Sequence, residues 1–464
     1  MRSGFRRPEP RAVGAGPGLI QLGIGRADGR IEEDRDPPIG RVLVGRLEAE
    51  SPAEELAQPA AQVMHRAVRQ GNIGHAGRAA RHLVARPESG VDVDRHEAVR
   101  LPRDSHRAVF LHRLIVPLVA LSAILFSPAP AAAAGEPSGY EYFHTYAEMK
   151  AEIDDAVAAH PDIAQRFTMG TSYEGRAIWG VKISDNVATD ENEPEVFINA
   201  QIHANERATG ELALYLIDLL VNGYGNDSRI TDIVNSREIW IVPMVNPDGA
   251  EYDMSDGVFR HWRKNRQPTP GSSEIGVDLN RQFGYKWNCC GGGSNNPAAP
   301  KYRGTAPWQA PETIAYRDFV LSRVVGGKQQ ISEILSLHSH GRLVLWPYGY
   351  TKKDHPATMH YDDWRAFVAL GHQMAALNGY RPQQDSDLYI VDGDQDDWAY
   401  HDQRIFAFAF EMAAGKPQAS YPTLAQLQAD EQRNQPAVLL LLEIADCPYR
   451  AAGAALAAKH CPAG

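Results

Sequence analysis

Three consecutive runs constrain the fold more than any other part of this chain: "EVFINAQIH" (195–203), "ELALYLIDLLVNGYG" (211–225) and "EIWIVPMVN" (238–246). The first and third are short and rich in β-branched and aromatic residues. The second has a helical apolar period and stops at glycine. The alternation continues along the chain. "AIWGVKIS" (177–184), "ISEILSLHSH" (331–340), "RLVLWPYGY" (342–350) and "RIFAFAFEMA" (404–413) read as further strands, and the segments around 357–377 and 436–445 read as helices. A capping box from Thr145 to Glu148 opens an earlier helix, with Met149, Ile153, Ala156 and Val157 as its apolar stripe. Strands alternating with helices imply an α/β fold, a sheet covered by helices. No internal repeat is visible. The expected organisation is one domain over 139–448 with a short C-terminal tail, 449–464.

The stretch before residue 139 has a different character. No lysine precedes Lys150 and no tyrosine precedes Tyr140, and residues 1–113 show no sustained period. Those residues read as a disordered or wrongly translated extension. Next comes "HRLIVPLVALSAILFSPAPAAAAGEP": a basic flank at Arg113, an apolar run over 114–126, then small residues ending near Ala134. This is the pattern of a secretory signal peptide, 114–134, and the run is short for a membrane span. A functional start near 105–114 follows, and with it a secreted, extracellular enzyme; the rival is an anchored form with its N-terminus inside. All four cysteines, Cys289, Cys290, Cys447 and Cys461, lie after this segment, where export permits disulfides. Cys447 and Cys461 could close the tail, only a vicinal bridge could join the adjacent pair, and neither pair has metal-finger spacing. A net charge of −11 gives no reason to expect nucleic acid.

Within "QIHANERATG" (201–210), His203 and Glu206 stand three apart, just past a strand pattern. Ligands gather at the carboxyl ends of strands in α/β sheets. His338, at the end of another strand pattern, supplies a third candidate. Two imidazoles and a carboxylate, with a fourth position left to water, form a catalytic zinc set. Alone, H-x-x-E is a weak signal, and two polar residues near a helix start explain it as well.

The surrounding motifs strengthen it. "VNPDG" (245–249), "WRKNR" (262–266), "GVDLNR" (276–281), "LHSHGRLVLWPYGY" (337–350), "DLYIVDGDQDDWAY" (387–400) and "FAFEM" (408–412) occur in this order. Together with the H-x-x-E they resemble the zinc metallocarboxypeptidase family of the carboxypeptidase A/B type. The likeness spans about 140–450. "SYEGRAIWGVKISDN", "CCGGGS" and "SRVVGGKQQI" are similar to its bacterial secreted branch. The resemblance implies a mixed, mostly parallel eight-stranded sheet between helices. It implies His203, Glu206 and His338 as zinc ligands, Glu411 as general base and Arg263 as the cation that stabilises the transition state. It also implies Asn280 and Arg281 as the grip on the substrate's terminal carboxylate, and Tyr389 as the mobile tyrosine that closes over it. A charged Glu411 at the end of the apolar run 405–410 would otherwise be costly.

Several positions depart from the family pattern. Asn205 stands where arginine usually precedes the ligand glutamate, and Arg207 follows it instead. His340 replaces a common tyrosine and reads either as a residue at or behind a subsite or as a solvent-facing strand residue. Gln282 replaces an asparagine. No folded pro-segment separates Ala134 from the catalytic start, so none is expected. The resemblance implies peptide or protein C-termini as substrate, a monomer, and no stable membrane association after signal cleavage. A cell-wall peptidase cutting at diaminopimelate uses the same zinc site; the intact Asn280–Arg281 pair favours ordinary peptides. A catalytically dead binding module would lack a ligand or the base, and all four residues are present. Asp185, Asp190, Glu191, Glu193 and Glu195 crowd one loop whose counterpart in the bacterial branch binds calcium, and a structural Ca2+ is expected there. Asp396 aligns with the aspartate that receives lysine or arginine in B-type enzymes, and Asp394 with a pocket acid of the bacterial branch. Basic C-terminal residues are therefore preferred, with hydrophobic ones also accepted. Asp392 reads as part of a solvated acidic turn.

Overall fold

The computed structural model of the chain describes residues 142–413 and 420–461. The extension 1–113 and the signal-like segment 114–134 lie outside the described residues. Eight strands form one sheet: β1 (Ala164–Thr171), β2 (Ala177–Ile183), β3 (Glu195–Ala200), β4 (Glu238–Val242), β5 (Ile331–Ser339), β6 (Leu343–Trp346), β7 (Arg381–Gln384) and β8 (Phe406–Met412). Their order is β1-β2-β4-β3-β5-β8-β6-β7. The β4-β3, β3-β5, β5-β8 and β6-β7 pairs are parallel; β1-β2, β2-β4 and β8-β6 are antiparallel. The mixed, mostly parallel sheet expected from the motifs is the one observed.

The six longest helices are α1 (Tyr146–Ala159), α2 (Arg207–Gly223), α3 (Pro311–Ser322), α4 (Tyr361–Asn378), α5 (Gln395–Gln403) and α6 (Leu424–Ile444). Period-two alternation along the central strands feeds two cores. Val196, Ile198, Ile239, Ile241, Leu335, Leu337, Phe408 and Phe410 pack with α1, α2, α4 and α6 on one face. Phe197, Trp240, Val242, Ile334 and Ala407 pack on the other, against Tyr316, Phe319 and Val320 of α3 and Trp398 of α5. Both faces are covered, which is why β3 and β4 are buried at every residue and read as continuous apolar runs.

The α1 capping box forms as the sequence predicts, with Thr145 and Glu148 satisfying each other's backbone N–H. The helix expected around 436–445 is the second half of the longer α6, which starts at its own capping box, Thr423 with Gln426, and carries Pro436 inside it. Residues 449–461 of the tail are folded onto the domain. Cys447 is bonded to Cys461, a short helix spans Ala454–His460, and Lys459 and His460 both reach Asp362 at the start of α4. No helix among the described residues is long and apolar enough to cross a membrane.

Candidate active site

The parallel neighbours β3, β5 and β8 end side by side, and the candidate residues sit at those ends. Register aligns Ala200 with Leu337 and His338 with Glu411. Past Ala200 the backbone turns sharply, with Gln201 in the left-handed region at φ 52°, and presents His203 and Glu206 before α2 begins. Nδ1 of His203 lies 3.0 Å from Glu206 Oε1, and Nδ1 of His338 lies 3.1 Å from both Glu206 Oε2 and His203 Nδ1. Two ring nitrogens and a carboxylate this close need a cation between them. All three residues are buried.

Two further groups fix the rings, and neither was picked out in the sequence. His203 Nε2 meets Asp278 Oδ1 at 3.2 Å, which leaves the Nδ1 lone pair facing the other donors. The Gln395 side-chain amide meets His338 Nε2 at 3.3 Å. Turned so that its oxygen faces the ring, this amide accepts the Nε2 proton and orients His338 in the same sense. Asp278 Oδ2 also accepts from Arg263 Nε at 3.0 Å. Burial opposes the charge on Asp278, but Arg263, Arg281 and His203 outweigh it and hold the carboxyl well below its usual range. The donor set of His203, Glu206 and His338, buried and oriented from behind, fits zinc.

Around this centre lies a cleft of about 250 Å³ that contains every residue expected there: Arg263, Asn280, Arg281, Tyr389, Asp394, Asp396 and Glu411, together with His340. Burial and the neighbouring Glu206 push the Glu411 carboxyl up to about 7. Arg281 donates from Nε to Gly292 O and from Nη1 to Asn280 O, while its buried Nη2 has no hydrogen-bond partner. Asn280 Oδ1 accepts from Gln395 N, which ties the Asn280–Arg281 turn to α5.

The acids are arranged more tightly than the sequence suggested. Asp394 caps α5 by accepting from Asp397 N, and Asp396 accepts from Ser336 Oγ at 2.8 Å. Neither faces solvent, being 3% and 7% exposed. Burial and the charge of Asp394 push Asp396 up to about 7. A third cleft acid, Asp385, was missed; burial, Asp394 and Asp396 push it well above the usual range. Asp392 is not a solvated turn residue. It is fully buried, its Oδ2 accepts from Cys290 N and Gly292 N, and its Oδ1 pairs with Arg303. The reason is tertiary: the loop 288–294 folds over it and presents backbone N–H groups. Cys289 and Cys290 are bonded to each other in that loop.

Two of the departures have structural roles. Arg207 is buried away from the cleft and donates to Ala250 O and His144 O. Gln282 Oε1 accepts from Gln309 N and Ala310 N at the start of α3.

Residues 149–437 match the family described as zinc carboxypeptidase. The chain is 41% identical over 340 residues to a zinc carboxypeptidase of Saccharothrix mutabilis subsp. capreolus, covering 72% of this chain and 77% of that one. It is 33% identical over 275 residues to carboxypeptidase A2 of Rattus norvegicus, covering 59% of this chain and 63%, under two thirds, of the rat protein. Among solved structures, the carboxypeptidase A of Helicoverpa armigera superposes with a TM-score of 0.57 at 25% identity, over 68% of this chain and 75% of the insect one. With the zinc-fitting donor set, the strand-end cleft and the sheet order in place, the chain belongs to the zinc carboxypeptidase family.

Proposed function

We propose that the protein is a secreted zinc carboxypeptidase that removes single residues from peptide C-termini, preferring arginine and lysine and also accepting hydrophobic residues. One observation carries the reading: the buried, unpartnered Nη2 of Arg281 lines the same cleft as the His203, Glu206 and His338 donors. A terminal carboxylate satisfies that donor, and Asn280 stands beside it. This grip places the scissile carbonyl of the last peptide bond at the metal end of the cleft. His203, Glu206 and His338 hold the zinc, which supplies a Lewis acid for that carbonyl. Glu411 takes a proton from the attacking water and returns one to the leaving amine. Arg263, fixed by Asp278, meets the negative charge that develops on the carbonyl oxygen. Tyr389 closes over the bound terminus.

Specificity comes from Asp394 and Asp396, joined by Asp385. A substrate guanidinium or ammonium in this dry pocket replaces protons on Asp396 and Asp385, which burial and their neighbours push up. The test is a panel of blocked dipeptides ending in Arg, Lys, Phe or Leu, read at pH 6 and 8. Asp396→Ala should depress cleavage of the basic substrates by tenfold or more beyond any loss on Phe and Leu, an estimate of about 1.4 kcal/mol for one charge-assisted contact. Equal losses, or a wild type that ignores Arg and Lys, refute the specificity. Glu411→Gln should abolish turnover with zinc still bound.

We also infer a calcium site in the acidic loop. Asp185, Glu191 and Glu193 converge, and Asp185 Oδ1, Glu191 Oε2 and Glu193 Oε2 are buried without hydrogen-bond partners. Burial, Glu191 and Asp185 push Glu193 up to about 7, so a hard cation would relieve the repulsion. Asp190 and Glu195, expected in the same cluster, instead pair with Arg323. Calcium at 100 times its dissociation constant should stabilise by about 2.7 kcal/mol; a melting temperature indifferent to calcium and to its chelators rules the site out. Export is supported by the signal-like segment and by the two bonded cysteine pairs, which suit an oxidising compartment. Purified mature protein that begins well upstream of residue 114 would contradict it.

A further inference from the structure

We propose that Lys301 is a positioning residue for Tyr389: its ammonium holds the tyrosine ring over the carboxylate grip and so sets how tightly a peptide C-terminus is retained. The proposal rests on the assignment of the cleft to peptide C-termini. Lys301 Nζ lies 3.5 Å from the centroid of the Tyr389 ring, and Arg281 Cζ lies 6.0 Å from the same centroid. A cation within about 6 Å of a tyrosine face is attracted to it, more strongly where water is excluded. Lys301 is half-buried, and burial together with the charges of Arg281 and Arg263 pulls its pKa down. The ammonium is thus held near two like charges, and the tyrosine ring is what it meets there.

Tyr389 forms a wall between two cavities. One is the cleft with Arg281 and Glu411; the other is an outer cavity lined by Lys301, Gly292 and Gly293. Tyr389 follows a four-residue helix, Asp385–Leu388, in extended backbone, and Leu388 is exposed. Lys301 stands on a fixed platform. Its carbonyl accepts from Ser294 N at 2.8 Å, and Ser294 O accepts from Arg303 N at 3.0 Å. Arg303 pairs with Asp392, whose other oxygen holds Cys290 N and Gly292 N. A methyl at Gly292 would come within 2.5 Å of the backbone of Val391 and Asp392, so the two loops pack too closely to slide. The loop that carries Lys301 and the segment that follows Tyr389 are thus held together, and the ammonium meets the ring across that junction.

The experiment compares kcat and KM on a blocked dipeptide ending in arginine for the wild type, Lys301→Gln, Lys301→Ala, Lys301→Arg, Tyr389→Ala and the Lys301→Gln/Tyr389→Ala double variant. Each neutral variant should raise KM about three- to tenfold with kcat within about twofold, the range a partly dry cation–ring contact spans. Lys301→Arg should restore most of the loss. In the Tyr389→Ala background Lys301→Gln should change KM by less than about 1.5-fold, because the lysine acts through the ring. Melting temperatures of the single variants should match the wild type within about 2 °C, as expected for a half-buried side chain. Wild-type KM in both neutral variants, a fall in KM, or an undiminished effect without Tyr389 overturns the proposal while leaving the carboxypeptidase reading intact. A wild type that cleaves no blocked dipeptide overturns both.

Discussion

Replacing Asp278 by Asn keeps the shape of the side chain and removes its charge. The carboxylate faces two donors at once: His203 Nε2 at 3.2 Å from Oδ1 and Arg263 Nε at 3.0 Å from Oδ2. An amide has one acceptor end. If its oxygen serves His203, its NH2 points at the Arg263 guanidinium, donor against donor. If its oxygen serves Arg263, its NH2 favours the His203 tautomer that protonates Nδ1, the nitrogen turned toward Glu206 and His338. Either choice harms one partner. Loss of a carboxylate behind a metal-binding histidine typically costs 10- to 100-fold in affinity, or about 1.4–2.7 kcal/mol. Zinc affinity measured by competition with a chromophoric chelator should fall by that factor in Asp278→Asn. The zinc-free variant should also melt lower, because Arg263 and Arg281 lose their buried counter-charge. The wild-type contribution has a definite sign with pH. The folded carboxyl lies well below its unfolded value, so its stabilisation is complete above about pH 4 and is lost as the pH falls through the folded value. Unchanged zinc affinity in Asp278→Asn would refute the argument that this carboxylate sets the His203 tautomer.

Two further outcomes concern stability. Glu333 on β5 is fully buried with neither carboxylate oxygen hydrogen-bonded, and burial pushes it well above the usual range. Glu333→Met should therefore stabilise the fold by about 1–2 kcal/mol, read as a higher urea midpoint; a lower midpoint disproves it. Burial, Glu211 and Asp430 push Glu431 of α6 up to about 8. Its contribution is complete below about pH 4.5, declines as the pH rises and is gone above about 8. The wild-type melting temperature should fall across that window, and Glu431→Gln should raise it at pH 8 by about 2–4 °C. Parallel pH curves for the two proteins would exclude Glu431 as the source.

What could be read from the sequence follows from how local each signal is. His203 and Glu206 are three apart and fixed by the turn that ends β3, and His338 and Glu411 close apolar runs, so chain position alone places them at strand ends. Asp278 and Gln395 act across 75 and 57 residues of chain, and only the folded sheet order brings them to the histidines. Asp392 looked solvated because its partners, Cys290 N, Gly292 N and Arg303, come from a loop about a hundred residues earlier. The edge strands were hidden for a different reason. β7 is Arg-Pro-Gln-Gln with no apolar alternation, and β1 breaks register between Thr168 and Gly170. Edges have one neighbour and bury less, so their sequences carry a weaker pattern.

On the proposed reading, the breadth of specificity is a consequence of shared protons. The cleft carries fixed cations in Arg263 and Arg281, and a terminal carboxylate completes them whatever residue bears it. The acids beyond are different. Burial and the neighbouring charge of Asp394 push Asp396 up to about 7, and burial, Asp394 and Asp396 push Asp385 well above the usual carboxyl range. With protons on Asp396 and Asp385 the pocket carries less charge, and an apolar side chain enters at modest cost. A substrate lysine or arginine displaces a proton and takes its place beside the carboxylates. A single solvated aspartate would stay ionised and turn apolar residues away; Asp396 and Asp385, raised by their crowding, ionise when a cation arrives. Ser336, through its bond to Asp396 Oδ1, favours the ionised form of that one acid and so opposes the push of burial and of Asp394.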